Sequence, residues 1–263
     1  MTTTTPHPTS GTSRPGAAAP AWRRVLSQTG FETRAVLRNG EQLLVTIVLP
    51  VMVLLGLTRT SVVEIDTGGL DRIDFVTPGV LALACVSTAF TSQAIATAFD
   101  RRNGVLRLLA TTPLGRGGLL AGKLLGVLAV EVVQVVVIGA VALALGWHPA
   151  AGGILAAVGV GLLGTACFTA LALLLAGTLR AEGVLALANL VLVLLVVGGG
   201  LLVPPAQLPG PLEQLATFLP SGALGEAMRG ALLGTGVPTL ALVVLAAWTA
   251  LLGWAAARFF RWQ

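Results

Sequence analysis

FVTPGVLALACVSTAFTSQAIATAF, residues 75–99, contains no charged side chain and is bounded by Asp74 and Asp100. An α-helix rises 1.5 Å per residue, so about 20 apolar residues cross a hydrocarbon core of about 30 Å. The stretch is therefore predicted to span a membrane. The whole chain is 55% hydrophobic and 10% charged, with a mean hydropathy of +0.90. A soluble domain carries about 25% charged residues, so an integral membrane protein is predicted.

Further charge-poor runs on both sides of this stretch predict an all-α membrane fold with six transmembrane helices. The run after Lys123 extends to Arg180 with Glu131 as its only charge, and GWHP at 146–149 divides it into two spans. The predicted spans cover approximately residues 42–62, 75–99, 122–145, 150–178, 183–203 and 237–257. Together they form a predicted transmembrane domain over residues 41–263.

The distribution of basic residues predicts the orientation of the chain. With a cytoplasmic N-terminus, only Arg59, Arg72 and Arg229 of the 16 lysines and arginines fall outside the cell. Because basic residues concentrate in cytoplasmic loops, both termini are predicted to be cytoplasmic. This topology accounts for the sequence pI of about 10.9 without nucleic-acid binding.

Two segments precede the first predicted span. Residues 1–20 are rich in Thr, Pro, Ser and Gly and are predicted to form a disordered cytoplasmic tail. Residues 21–40 are predicted to form an amphipathic helix at the membrane interface, in preference to an ordinary soluble helix, because a span follows at once. Its interface residues are Trp22 on the apolar face and Arg23, Arg24, Arg34 and Arg38 on the polar face.

The long segment between the last two spans, residues 203–236, is predicted to hold two short external amphipathic helices. Pro211 begins the first, and Ser221 is placed to cap the second. Gly198, Gly199 and Gly200 just before this segment favour close helix packing. The other external loop, 59–74, carries four carboxylates whose spacing fits no calcium loop, and we predict a solvated loop.

Glu131 is the only acid embedded in a predicted span. An intramembrane carboxylate faces protein or water, which leaves two kinds of role open. In a functional role Glu131 would contact a cationic substrate or carry a proton. In a structural role it would form a hydrogen bond between helices. Gln93 is a candidate partner for it, and Gln134 lies one turn further along the same helix. Pro50 is expected to kink the first span, because proline removes one backbone hydrogen bond.

We find no catalytic or metal-binding pattern in the sequence. A GxxxxGK[ST] phosphate loop, an HExxH motif and a GxSxG motif are all absent, and the two histidines lie far apart. Cys85 and Cys167 fall within predicted spans and are interpreted as packing residues. The chain is predicted to be neither an enzyme by itself nor the holder of a cofactor or metal.

DRRNGVLRLLATTPLGR, residues 100–116, connects the second and third spans. Together with Lys123, the sequence's only lysine, it holds five of the 16 basic residues. A helix here places Val105, Leu108 and Leu109 on one face. It is predicted to end at Thr111, Thr112, Pro113 and Gly115. Arg101, Arg102, Arg116 and Lys123 are explained as cytoplasmic anchors of the two spans. The apolar face is either interfacial or a docking surface for a soluble partner.

Two motifs resemble ABC-2 type permeases, the membrane subunits of type V ABC exporters. The first comprises Asp100, Arg101, Arg102, Gly104, Leu108, Leu109, Thr112, Pro113, Leu114, Gly122 and Lys123, and the second is FLPSGALGEAMRGALLG at 218–234. The six-span plan and the N-terminal helix agree, over roughly residues 22–263. Two positions depart from the family pattern: Asp100 stands where glutamate is common, and Arg107 where an acidic residue is frequent.

The resemblance implies a multi-pass exporter permease of the bacterial plasma membrane. The apolar, Gly- and Ala-rich composition of the spans suits a hydrophobic or amphipathic substrate, and it does not distinguish a drug from a lipid. Its implied partners are cytoplasmic ABC ATPase subunits, which bind ATP and Mg²⁺, a second permease copy or paralogue, and membrane lipids. The implied ATPase-coupling residues are Asp100, Arg101, Arg102, Gly104, Val105, Arg107, Leu108, Leu109, Thr112, Pro113 and Leu114. The substrate pathway is expected near Pro50, Gln93, Glu131 and Gln134.

Two other function classes were weighed against this one. An ion-coupled secondary transporter that uses Glu131 would predict an internal repeat with broken helices, and the sequence has no convincing repeat. A membrane scaffold subunit would need no docking helix. The motifs at 100–116 and 218–234 favour the exporter permease.

Overall fold

The computed structural model describes residues 19–60 and 66–260. Within these ranges the secondary structure is helical, without strands. The predicted tail, apart from its last two residues, and Glu64 of the acidic loop lie outside them. The α-helices are α1 (Ala21–Leu37), α2 (Gly40–Leu43), α3 (Leu49–Arg59), α4 (Arg72–Val86), α5 (Gln93–Arg102), α6 (Val105–Ala110), α7 (Gly115–Ala144), α8 (Ile154–Thr178), α9 (Ala181–Val197), α10 (Pro211–Phe218), α11 (Pro220–Leu232) and α12 (Thr239–Phe259).

Several of these helices have the length and hydropathy of membrane spans. Among the described residues, four continuous helical stretches are long and apolar enough to cross a bilayer, and two shorter apolar helices accompany them. The four are Arg72–Arg102, Gly117–Ala144, Ala151–Thr178 and Thr239–Phe259; the shorter two are Leu44–Arg59 and Ala181–Val197. The prediction of an all-helical, multi-pass membrane protein is confirmed.

The stretch Arg72–Arg102 lies at the centre of the bundle. Every residue from Phe75 to Thr91 is buried, and α3, α7, α8 and α11 all pack against α4. Gly79 and small side chains along the stretch let neighbouring backbones approach. A Cβ at Gly79 would lie only 2.7 Å from the Leu201 carbonyl oxygen. The sequence that identified the fold therefore forms its core.

Two segments within the apolar helices are π-helical, at Leu44–Val48 and Ser87–Ser92. The first ends two residues before Pro50, which is the second residue of α3. Because proline has no backbone N–H, the Thr46 carbonyl cannot accept the α-helical hydrogen bond from position 50. The break predicted at Pro50 thus takes the form of a wider helical turn just before it.

The fifth predicted span, 183–203, is shorter than expected, because α9 ends at Val197. Gly200 adopts a positive φ of 77°, which glycine reaches without strain. Ser221 donates to the Gly199 carbonyl at 2.7 Å, so it does not cap α11 as predicted. The glycines do pack closely, since a Cβ at Gly199 would lie 2.7 Å from Ser221 Oγ.

Arg229 of α11 also contacts the residues that follow α9. It is buried, although the sequence suggested only an external charge. Its guanidinium donates to the carbonyls of Gly200 and Leu201, both at 2.9 Å, and pairs with Glu226 at 3.1 Å. Burial lowers the pKa of Arg229, and the neighbouring Glu226 carboxylate opposes that shift. The arginine therefore supplies donors to backbone carbonyls left free beyond the end of α9.

The two predicted external helices exist as α10 and α11. Helix α11 has the predicted amphipathic pattern, but it does not lie at a surface, because all but one of its residues are buried. It packs against α4, α8 and α12 at once. Its glycines permit this, since a Cβ at Gly222 would lie 2.0 Å from the Ala216 carbonyl oxygen. Helical periodicity identified one apolar face and could not reveal that partners cover the other.

Candidate functional site

A short helix, α6, stands between two glycines with positive φ. Gly104 (φ 77°) turns the chain after α5, and Gly115 (φ 68°) turns it into α7. The hydroxyls of Thr111 and Thr112 donate to the carbonyls of Leu108 and Leu109 at 2.7 and 2.6 Å. These bonds satisfy acceptors that the end of a helix leaves open. The end of the bundle that carries α1 and α6 is called the basic end below.

A cleft of about 710 Å³ separates α6 from α1 and is named here the basic-end cleft. Leu108 in its wall is 68% exposed, whereas Leu106, on the opposite side of α6, is 2% exposed and anchors the helix. The sequence analysis did not select Leu106. The cleft is lined by Ala19, Arg23, Arg24, Ser27, Gln28, Phe31, Val105, Leu108, Leu109, Thr112, Pro113 and Leu114. The predicted docking residues of α6 and the turn after it therefore form one wall of the cleft, and residues of α1 form the other.

Two of the predicted interface residues of α1 also line this cleft. The Arg24 guanidinium donates to the Pro113 carbonyl, which ties α1 to the turn after α6. Arg23 lies over the ring of Trp22, 5.1 Å from its centroid. Trp22, Arg34 and Arg38 are exposed on other parts of the helix. Arg24 thus has a structural partner in addition to any lipid.

The charged residues at the end of α5 hold neighbouring helices. Arg101 donates to the Leu179 carbonyl just beyond α8 at 2.5 Å, and Arg102 pairs with Glu182 at the start of α9 at 2.5 Å. Asp100 pairs with Lys123 of α7 at 2.8 Å. All three side chains therefore make contacts within the chain, at the basic end.

Lys123 is the centre of a buried ion-pair cluster. Its side chain is 2% exposed, and its Nζ lies 3.0 Å from Glu32 of α1 and 2.8 Å from Asp100 of α5. The cluster joins three helices. The explanation of Lys123 as a simple cytoplasmic anchor is therefore wrong: the lysine is enclosed by two carboxylates and does not face solvent.

Three glycines of α7 bring α1 close enough to form this cluster. A Cβ at Gly122 would lie 2.6 Å from Gln28 Cγ, and one at Gly126 would lie 2.8 Å from Glu32 Cβ. Gly118 completes the spacing one turn earlier. This G-x-x-x-G-x-x-x-G pattern is a sequence signal for close contact between helices, and it could have predicted that α1 packs on α7. Here it seats the N-terminal helix.

Gln134, predicted near the substrate pathway, contacts the first π-helical segment and α4. Its Nε2 donates to the Thr46 carbonyl at 2.5 Å and lies 3.5 Å from the Ala84 carbonyl oxygen. The Thr46 carbonyl is the one that Pro50 cannot satisfy in an α-helix. Pro50 and Gln134 are therefore brought together as parts of one structural arrangement.

Gln93 takes no part in either the Gln134 or the Glu131 contacts. It is buried, and its amide donates to the Thr97 hydroxyl at 3.2 Å. Close to it in sequence, the hydroxyls of Ser87, Thr88 and Thr91 are buried without a hydrogen-bond partner in the described part of the chain. The π-helical segment of the central span is thus unusually polar for a membrane interior.

Glu131 contacts α8, so the partner suggested from sequence, Gln93, is wrong. The Thr165 hydroxyl donates to Glu131 Oε2 at 2.6 Å, and the same hydroxyl oxygen lies 2.9 Å from the Gly161 carbonyl oxygen. A hydroxyl has one proton and serves one strong acceptor at a time. The other carboxylate oxygen, Oε1, is buried and lacks a donor among the described residues.

In the described ranges, no three His, Cys, Asp or Glu side chains lie close enough together to hold a metal ion. Asp74 accepts a hydrogen bond from the backbone N–H of His148 at 2.7 Å. Cys85 and Cys167 are buried free thiols.

A comparison with protein families gives a match to the ABC-2 type transporter over residues 24–233. The chain belongs to this family. The match begins in α1 and ends beyond α11, so it includes the Lys123 cluster and the buried α11 of this ABC-2 permease. It also includes the residues that line the basic-end cleft, except Ala19 and Arg23. A comparison with curated proteins gave no significant match. Family membership supports a permease of an ABC transporter that associates with ABC ATPase subunits.

The bond between Gln134 and the Thr46 carbonyl can be tested through Pro50. We expect Gln134→Leu to destabilise the permease by about 1 kcal/mol, since a buried carbonyl loses its donor. In a Pro50→Ala background the same change should cost less, because residue 50 regains an N–H for that carbonyl. Unfolding in detergent measures both values. Equal losses in the two backgrounds would contradict the assignment.

Proposed function

We propose that this chain is the transmembrane subunit of an ATP-driven exporter in a bacterial plasma membrane. In this proposal the chain crosses the membrane six times, with residues 1–20 as a cytoplasmic tail, residues 21–40 as an interfacial helix and residues 41–263 as the transmembrane domain. The basic end faces the cytoplasm. ATP and Mg²⁺ are bound by a separate ATPase subunit, and the permease itself catalyses no reaction.

The six-span layout is supported by the continuity of its two shorter members. Gly40–Leu43, Leu44–Val48 and Leu49–Arg59 follow one another without a break and together give about the 20 residues that a crossing needs. Ala181–Val197 is shorter, and the buried helix α11 fills the space beyond its end. A short span can be accommodated by local thinning of the bilayer or by neighbouring protein.

The docking of an ATPase is supported by the basic-end cleft, the observation on which the proposal chiefly rests. Its walls are apolar at Leu108 and Phe31, both exposed, and Arg23 and Arg24 also line it. An apolar groove rimmed by charge is typical of a protein interaction site. Leu108 and Leu109 would enter a complementary pocket on the ATPase, and Arg107 would set part of the charge offered to it.

A displacement of α6 would be transmitted to the membrane-spanning helices through contacts at the basic end. α6 connects α5 with α7, and the Lys123 cluster joins both to α1. Arg101 and Arg102 extend these contacts to the ends of α8 and α9. Closure of two ATPase subunits on ATP would displace α6, and this network would carry the displacement to the spans.

Pairing with a second permease is part of the proposal. α3 packs on α4, and α9 packs on α5, so both flank the central span. Each also carries large apolar side chains that remain exposed, such as Met52 on α3 and Val193 on α9. A second copy or paralogue would cover these faces, with the pathway for a hydrophobic or amphipathic substrate between the two subunits.

Co-expression with an ABC ATPase encoded beside the permease gene tests this function. We expect the two proteins to co-purify and the assembled complex in lipid vesicles to export an amphipathic substrate only when ATP is supplied. Transport by the permease alone, driven by an ion gradient, would overturn the proposal in favour of secondary transport. Failure of every neighbouring ATPase to bind would also contradict it.

A further inference from the structure

A second cavity lies along α7, well away from the basic-end cleft. Its volume is about 530 Å³, within the usual range for small-molecule pockets. α7 and α8 form its two long walls, and Met228 and Leu232 of α11 contribute to it. This cavity is named here the lateral groove. Its apolar wall residues include Val132, Val135 and Val136, which are themselves exposed.

Glu131 is the only charged residue among those that line the lateral groove. It occupies the middle of α7, whose ends are Gly115 and Ala144. From Glu131 the groove follows the helix to Leu143, about 18 Å along the axis at 1.5 Å per residue. The groove is thus elongated, apolar along its walls and acidic at its inner end.

The hydrogen bonding of Glu131 leaves its charge incompletely compensated. The Thr165 hydroxyl donates to Oε2 but also lies 2.9 Å from the Gly161 carbonyl oxygen. The other hydrogen-bonding side chain at this carboxylate is the Cys85 thiol, which is a weak donor. Oε1 has no donor there although it is buried. A buried carboxylate without a cation or several donors is costly inside a membrane. A ligand that brings a positive charge would remove this cost.

We propose that the lateral groove binds a lipophilic molecule with one protonated amine, the ammonium group paired with Glu131 and the hydrocarbon part against the valine wall. Charge complementarity selects this occupant over a neutral lipid chain, whose end would leave the carboxylate unpaired. The inference names the substrate class and rests on the proposed transport function. It places recognition in a groove between α7 and α8 that no residue of α3 or α9 lines.

The test uses the full chain alone in nanodiscs of zwitterionic lipid. Tritiated dodecylamine is the probe, tritiated dodecanol is its uncharged counterpart, and uptake by protein-free nanodiscs is subtracted. We expect the amine to bind about tenfold more tightly than the alcohol. Glu131→Gln keeps the shape of the side chain and should reduce amine affinity about tenfold while leaving alcohol affinity unchanged.

Two glycine variants test the location. A side chain at Gly139 would meet no atom within 4 Å of its Cβ, so Gly139→Leu should fold and fill the groove, which weakens both probes. Gly159 is equally open but does not line the groove, so Gly159→Leu should bind both probes normally. Glu213→Gln, on exposed α10, is the matched loss of charge and should also have no effect.

Equal affinity for amine and alcohol in the unaltered chain would overturn the proposal and indicate a neutral lipid chain as the occupant. Unchanged amine binding after Glu131→Gln or Gly139→Leu would overturn it as well. Because no ATPase is present, a negative result here leaves ATPase pairing untouched. Conversely, failure to find an ATPase would not alter the binding measured in nanodiscs.

Discussion

Leu108→Arg should weaken association with the ATPase by at least about 30-fold. Leu108 is 68% exposed and lies in the wall of the basic-end cleft. An arginine there would have to be buried without a partner in an apolar interface, and truncating or charging a central contact costs about 2 kcal/mol or more. The affinity of the purified permease for its ATPase measures the effect directly.

Leu179→Arg is the matched control for this prediction. Leu179 is also exposed and lies just beyond α8 at the basic end, but it does not line the cleft. Its backbone carbonyl, which accepts from Arg101, is retained in the variant. We expect normal ATPase affinity. Equal loss in both variants would indicate a general charge effect, and no loss in Leu108→Arg would refute docking at the cleft.

Lys123→Leu should destabilise the isolated permease by about 3 kcal/mol. The substitution leaves Glu32 and Asp100 next to each other with no cation between them. Removing one partner from a buried ion pair typically costs about 3–5 kcal/mol, because the remaining charge is uncompensated. The unfolding midpoint in detergent should fall accordingly, and α1 should become more accessible to protease.

Neutralising the two acids should recover much of this loss. In the triple variant Glu32→Gln, Asp100→Asn, Lys123→Leu no buried charge remains unpaired, so stability should return toward that of the native chain. Arg102→Leu is the comparison at the surface: Arg102 and Glu182 are 54% and 67% exposed, and such pairs contribute about 1 kcal/mol or less. Comparable losses for Lys123→Leu and Arg102→Leu would show that burial does not matter at Lys123.

The long apolar helices could be predicted from the hydropathy of the sequence. Charge-free runs located the long apolar helices because the bilayer imposes a length and a polarity on each of them. The turn residues Thr112 and Pro113 marked the end of α6 because their effect on the backbone is local. Family motifs then connected that helix with ATPase docking, which remains a prediction.

The contacts between distant helices could not be predicted in the same way. A lysine next to a span reads from sequence as a cytoplasmic anchor. Lys123 is instead buried, because α1 packs on α7 and brings Glu32 next to it. Helix α11 has an amphipathic pattern, yet α4, α8 and α12 surround it. Glu131 has Thr165 as its partner, which depends on the rotation of α8 relative to α7. These properties depend on tertiary packing, which periodicity within one helix does not encode.

The seating of α1 on the glycines of α7 also bears on the order of events during biosynthesis. Helix α1 is made before the spans that follow it here, and its partners Gly122 and Lys123 follow roughly ninety residues later. At about 5–20 residues per second, the ribosome needs roughly 5–20 s to produce them. Until then Glu32 has no lysine, and Trp22 and Leu26 can hold the helix at the lipid surface. Helix α1 is thus synthesised well before its partners and can take its final place only after α7 has emerged.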